Sequence, residues 1–161
     1  NVLHLTDSNA DGFPDGWSQA GMTAPTYTLT DYAYPFIGKK CNAAVSQSAL
    51  GAVYKNVFTG FAAGDKLKLL GVLGMSSASN MVGYCTLTCK NSGGTVLLKN
   101  TVWSSAQDIA DTAFEHDLIV PDATTLIELY INVYTATTGA FSGTLSFGGF
   151  ELLNVTTLLS T

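Results

Sequence analysis

The sequence predicts an all-β fold, a sandwich or a barrel, and three observations carry that prediction. Turn signals recur along the chain, leaving roughly ten short strand-like runs bounded mostly by Gly, Pro, Asn or Asp. The stretch Leu126–Tyr134 alternates without a break, with Ile127, Leu129, Ile131 and Val133 on one side and Glu128, Tyr130, Asn132 and Tyr134 on the other. The 161 residues are 47% hydrophobic, show no linker or composition break, and carry no repeat at a fixed period. Residues 1–161 therefore read as a single β-domain.

In chain order, "NVLHL" is a first strand, followed by the polar loop "TDSNADGFPDG". The runs "YTLTDYAY", "KCNAAVSQS", "GAVYKNVF" and "KLKLLGVLG" come next, then "MVGYCTLTCK" and "GTVLLKN". "EHDLIVP", "TLIELYINVY" and "GTLSFGGFELLNV" complete the set. The best helical candidate is the short segment "SSAQDIADTAF" between "GTVLLKN" and "EHDLIVP". Within Val82–Lys90, Cys85, Leu87 and Cys89 share a face, leaving Tyr84, Thr86, Thr88 and Lys90 opposite.

Charge removes whole classes of partner. Seven lysines, no arginine and twelve acids give a net charge of -5, with a pI near 4.6. Nucleic-acid binding needs a basic face that releases counterions from phosphates, and this composition predicts none. The longest apolar stretches are strand-sized, far short of the roughly 18 residues of a membrane-spanning helix. A Lys/Arg-rich amphipathic surface helix is likewise not expected. The polar surface must be built from Ser, Thr, Asn and Gly. Such a surface suits an extracellular or virion protein, or one that meets neutral polymers.

Three cysteines, Cys41, Cys85 and Cys89, are too few for a disulfide scaffold and odd in number. Cys85 and Cys89 lie about 13 Å apart on one extended strand, beyond the roughly 7 Å that a disulfide spans. Either can meet Cys41 across a sandwich, or all three are small buried hydrophobes. A zinc site is disfavoured: no Cys-x-x-Cys occurs, and His4 and His116 are remote in sequence.

Asp7, Asn9, Asp11 and Asp15, with Gly12 after Asp11, place oxygen donors at alternate positions before a turn. That pattern can wrap Ca2+ as a structural ion pinning the first strand and its loop. Ser18 stands where an EF-hand needs glutamate, so the loop is not of that type. The alternative is an Asx-rich turn in which the side chains cap their own backbone.

Sugar hydrolysis needs two carboxyls about 5–9.5 Å apart across a cleft. The only glutamates are Glu115, Glu128 and Glu151, and Asp108, Asp111, Glu115 and Asp117 read as a solvated flank. No nucleophile elbow, phosphate loop or dinucleotide fingerprint occurs. The reading is that of a non-enzyme, with no catalytic residue assigned.

Binding fits better. A pyranose ring offers a flat C–H face and a rim of hydroxyls, and tyrosine answers both. Tyr130, Tyr134, Asn132, Tyr84, Glu128 and Thr86 fall on predicted solvent faces and form the candidate carbohydrate-binding set, which Tyr32 and Tyr34 can extend. Tyr130 and Tyr134 stand roughly 13 Å apart, a spacing that an extended polymer can bridge. The competing account packs these rings under a loop or in an oligomer contact. Trp17 and Trp103 read as plugs at the edge of the core.

The order of signals resembles the jelly-roll carbohydrate-binding modules attached to bacterial xylanases and glucanases. "DGFPDGW" at Asp11–Trp17 is similar to their loop after the first strand, and "FAAGDKLKLLGVL" at Phe61–Leu73 to their turn before a central strand. Thr101–Trp103, Phe114, Pro121 and Leu126–Val133 follow in the family's order, as does the closing run Gly143–Val155. The resemblance implies a two-sheet antiparallel jelly roll, a concave or loop-edge sugar site, and a structural calcium near the chain ends. In the family an aspartate of the last strand commonly serves that ion, and here Gly149 falls at about that place. Binding aromatics vary among family members, so none is carried over.

The function expected is non-catalytic binding of a polysaccharide or glycan by a targeting module of a larger, extracellular protein. The alternative is a structural or host-recognition domain of a phage or viral tail or fibre, trimeric in many such proteins. A third account, a bare adhesion module, predicts no defined ligand.

Overall fold

The computed structural model describes residues 2–3, 5–21, 25–48 and 52–158. Within them the chain runs through β1 (Val2–Leu3), β2 (Ser18–Ala20), β3 (Thr26–Asp31), β4 (Lys39–Gln47), β5 (Ala52–Phe58) and β6 (Lys66–Ser79). It continues through β7 (Met81–Lys90), β8 (Val96–Ser105), β9 (Ile109–Ile119), β10 (Leu126–Thr135) and β11 (Phe141–Asn154) to a short helix, α1 (Val155–Leu158). One sheet has the order β3-β4-β11-β6-β9, with β1 also pairing β11. The other has the order β2-β5-β10-β7-β8. All pairings are antiparallel. The result is an all-β sandwich, one of the two architectures the strand pattern predicts, with the two antiparallel sheets of the jelly roll that the family resemblance implies.

The period-2 patterns decide what lies between the sheets. Ile127, Leu129, Ile131 and Val133 of β10 are completely buried. They meet Leu145 and Phe147 of β11, Leu69 and Leu73 of β6, and Cys41 and Ala43 of β4 in one core. Cys85, Leu87 and Cys89 of β7 join it, so the faces expected for β7 and β10 are those observed. All three cysteines are buried and unpaired. Burial pushes the Cys41 thiol up to about 12, with a smaller contribution from the Asp7 carboxylate, and burial raises those of Cys85 and Cys89 too. They are packing residues, protonated at neutral pH.

Trp17 closes one end of the sandwich, its ring 5.1 Å from that of Phe147 and 5.6 Å from that of Phe150. Trp103 is half-buried against the same core. The core explains both rings.

The segment read as a helix, Ser104–Phe114, is not one. Its first two residues end β8, Ile109 opens β9, and the three residues between carry the chain from one sheet to the other. Asp108 accepts hydrogen bonds there from the backbone N–H groups of Ser77 and Ala78, at 3.1 and 2.8 Å. Phe114, His116 and Leu118 then alternate inward along β9, the period of an edge strand against β6. Of the first predicted strand, Val2–Leu3 are paired with β11, and His4 lies outside the described residues.

Candidate functional site

The outward face of the five-stranded sheet is where the candidate residues meet. Because the aliphatic residues of β10 turn inward, Glu128, Tyr130, Asn132 and Tyr134 must turn outward. The register sets Thr88 of β7 opposite Glu128, Thr86 opposite Tyr130, and Tyr84 opposite Asn132. On the far side of β7, Lys99 of β8 stands opposite Thr88 and Thr101 opposite Thr86. On the far side of β10, Lys55 of β5 stands opposite Tyr130. All six sequence-predicted residues therefore share one surface.

They divide into two groups. Tyr84 and Tyr134 stand edge to face, ring centroids 5.0 Å apart, and Tyr134 is exposed. This pair is the open aromatic corner. Tyr130 is half-buried, with the Lys90 ammonium 5.4 Å from its ring centroid. Its hydroxyl donates to the Glu128 carboxylate and accepts from Lys90 Nζ at 3.0 Å. Glu128 also pairs with Lys90 and with Lys55, the latter at 3.2 Å.

Glu128 is thus a buried anchor holding two lysines and a tyrosine. Burial alone would raise its pKa, but the hydrogen bonds from Lys90, Tyr130 and Lys55 outweigh it and hold the carboxyl below its ordinary value. Lys90 moves the other way, raised chiefly by its hydrogen bond to Glu128. Thr86 is also buried and forms part of the floor.

That floor belongs to a groove of about 230 Å³, lined by Thr86, Thr88, Lys90, Val96, Lys99, Tyr130 and Asn132. It is smaller than the roughly 300–1,000 Å³ of pockets that engulf a small molecule, and it lies open along the sheet. Such a shape suits part of an extended chain. Within it the buried Thr88 hydroxyl has no hydrogen-bond partner, the one such side-chain atom among the described residues.

Tyr32 and Tyr34 do not extend this face. They follow β3, an edge strand of the opposite sheet, where Tyr32 is buried and donates to the Val72 carbonyl at 3.0 Å. Tyr34 projects from the β3–β4 turn, 96% exposed.

Comparison with solved structures gives the fold a context. The tailspike protein 4 enzymatically active domain of bacteriophage CBA120 superimposes with a TM-score of 0.63 at 12% identity, over 86% of this chain and 19% of that one. The CBM22-1 xylan-binding domain of Paenibacillus barcinonensis Xyn10C gives 0.57 at 11% identity, over 85% and 84%. A CBM 22 xylan-binding domain gives 0.53 at 13% identity, over 91% and 94%. The chain has the fold of a carbohydrate-binding module. No family model matches the sequence, and no curated protein matches it.

Against that module fold, the acidic loop is arranged around its own backbone. Asp7 accepts from the N–H groups of Asp11 and Gly12, at 3.1 and 2.8 Å, and Asp11 from that of Phe13 at 2.8 Å. Asp15 accepts from Ser8 N–H at 2.9 Å and from the Thr6 hydroxyl at 3.0 Å, which lowers its pKa. Asn9 turns its amide toward Asp11. Gly12 sits at a φ of +81°, and a Cβ there would lie 2.4 Å from the Tyr27 carbonyl oxygen. Among the described residues no three Asp, Glu, His or Cys side chains converge as a cation shell. As arranged, these carboxylates cap the loop's own backbone, the pattern of an Asx turn. Gly149 occupies a bulge of β11 at a φ of +61°, where it offers no carboxylate.

Sequence reasoning missed Lys55, Thr88, Lys90 and Lys99 as members of the site. Parity along "GAVYKNVF" would have placed Lys55 outward once Tyr54 was assigned to the core. Lys99 was hidden because β8 breaks register between its partners for Cys89 and Lys90.

Proposed function

We propose that this domain binds a carbohydrate polymer without chemically altering it, through the outward face of the five-stranded sheet. The observation that carries the reading is the row Tyr130, Asn132 and Tyr134 along β10, flanked by Tyr84 and bordering a shallow groove floored by threonines. Aromatic faces match the C–H faces of sugars, and amide, hydroxyl and ammonium groups match their rims. Likeness of fold to xylan-binding modules supports the same reading.

The chemistry of the face supports a non-catalytic role. Glu128 is the one acid in the strands of this sheet, and it is neutralised by two lysines. Glycosidic cleavage calls for a protonated and an ionised carboxyl working as a pair. As a module, the domain would hold a larger extracellular protein against its polymer.

The deciding experiment is a polysaccharide and glycan array, repeated with Tyr130→Ala and Tyr134→Ala. Specific binding that both variants lose, with unchanged circular dichroism, is the expected outcome. Silence across a broad array overturns the reading.

Likeness of fold to part of a phage tailspike favours a second reading, a recognition or structural domain of a virion fibre. It predicts a trimer in sedimentation, whereas the module reading predicts a monomer. A trimer burying Tyr134 between chains would remove the proposed face.

A further inference from the structure

We infer that the groove beside Tyr130 recognises an anionic glycan, with Lys99 as the residue that meets its acidic group. The inference rests on the carbohydrate reading above and specifies the chemistry of the polymer.

Charge provides the first observation. The outward face of this sheet holds Lys55, Lys90 and Lys99, three of the seven lysines of the chain, against Glu128 alone. The other eleven acids lie outside the strands of this sheet. A chain with a net charge of -5 therefore presents an excess of two positive charges on one face. Lys55 and Lys90 share the Glu128 carboxylate. Lys99 is exposed at the groove wall and has no hydrogen-bond or ion-pair partner among the described residues.

The second observation is independent of charge. The Thr88 side chain lies in the groove lining, directly between Glu128 and Lys99 in the sheet register. Its hydroxyl is buried and has no hydrogen-bond partner among the described residues. A buried hydroxyl left unpaired is destabilising, and an oxygen of a bound sugar would supply the missing bond. Lysine suits the proposed task, being a compact point charge that needs no planar partner. A carboxylate or sulfate carried on a ring stacked at Tyr130 would face Lys99 across the groove. The neutral hydroxyls of that ring would fall over Thr88 and Asn132.

Matched polymers that differ only in charge provide the test. Polygalacturonate is compared with its fully methyl-esterified form, and dextran sulfate with dextran, by affinity electrophoresis at low and high salt. At least one anionic member should bind tenfold or more tighter than its neutral partner, and salt should erode the difference. Which pair responds distinguishes carboxylate from sulfate. Lys99→Gln should remove the preference, Thr88→Val should weaken binding several-fold at unchanged salt dependence, and Lys66→Gln on the opposite sheet should do neither. Thermal melts establish that each variant is folded. Equal affinity for both members of each pair overturns the inference while the carbohydrate reading stands, as does an anionic preference that survives Lys99→Gln. Absence of binding to these polymers and to a broad glycan array overturns both.

Discussion

Thr88 and Glu128 face each other across the β7–β10 register, both buried on the outward side of the sheet, and their hydrogen bonding is opposite. Glu128 is held by Lys55, Lys90 and Tyr130, while the Thr88 hydroxyl is held by nothing among the described residues. One residue fixes the floor of the groove. Its neighbour leaves a vacant donor and acceptor beside it.

Removing the anchor should loosen the face. Glu128→Gln leaves two ammonium groups without their shared counter-charge, so a destabilisation of about 1–3 kcal/mol is expected. Urea unfolding followed by tryptophan fluorescence measures it. A change below about 0.5 kcal/mol would show that the Glu128 cluster adds little to stability.

The same cluster defines a pH window. The Glu128 pKa is depressed, so its contribution is fully present above the usual carboxylate value near ~4.3 and is lost as pH falls through the folded value. Lys90 is raised, so its contribution is present below the usual lysine value near ~10.4 and is lost as pH rises through the folded value. Melting temperature should therefore plateau between these limits and fall on both sides. In Glu128→Gln the acid limb should be shallower, with the remainder assignable to Asp15 and other carboxylates.

How far the sequence was readable depends on where its alternation stayed unbroken. In β10 and β7 every side chain from Leu126 to Tyr134, and from Val82 to Lys90, took the face that a period of two demands. Register slips broke this rule in β8 and β6, so Lys99 needed the structure to be placed. The false helix at Ser104–Phe114 has the same physical origin. A corner between sheets interrupts alternation, and its short polar residues serve a turn as well as a helix cap. Tyr32 was misplaced because parity along one strand does not say which sheet that strand joins.

The calcium expected at Asp7, Asn9, Asp11 and Asp15 can be decided by melting the protein in calcium and in chelator. With the carboxylates already accepting backbone N–H bonds, the two curves should coincide. A rise in Tm that follows calcium concentration would instead establish a site, through the stabilisation that any ligand of the folded state produces.

Gly12→Ala tests the loop itself. A left-handed φ and a Cβ 2.4 Å from the Tyr27 carbonyl oxygen act together, and a loss of about 1–3 kcal/mol is expected. Chemical denaturation supplies the comparison, and a silent variant would show that the turn is not held as described.

Thiol chemistry reports the integrity of the core. Cys41, Cys85 and Cys89 are buried and their thiols held protonated, so an aromatic disulfide reagent should leave the native protein unmodified and titrate three thiols in denaturant. Rapid native labelling would mean that the two sheets part far more often than this packing allows.

The position of β11 constrains how such a chain comes into being. It pairs with β4 and β1 on one side and β6 on the other, so the centre of its sheet is the last strand to be synthesised. A nascent chain emerging from the ribosome holds β4 and β6 with facing edges open until residues 141–154 are clear of the exit tunnel. Closure is then a long-range event, slow by nature and exposed to edge-to-edge association while it waits. Production of this domain should consequently respond more to chaperone supply and growth temperature than its final stability would imply.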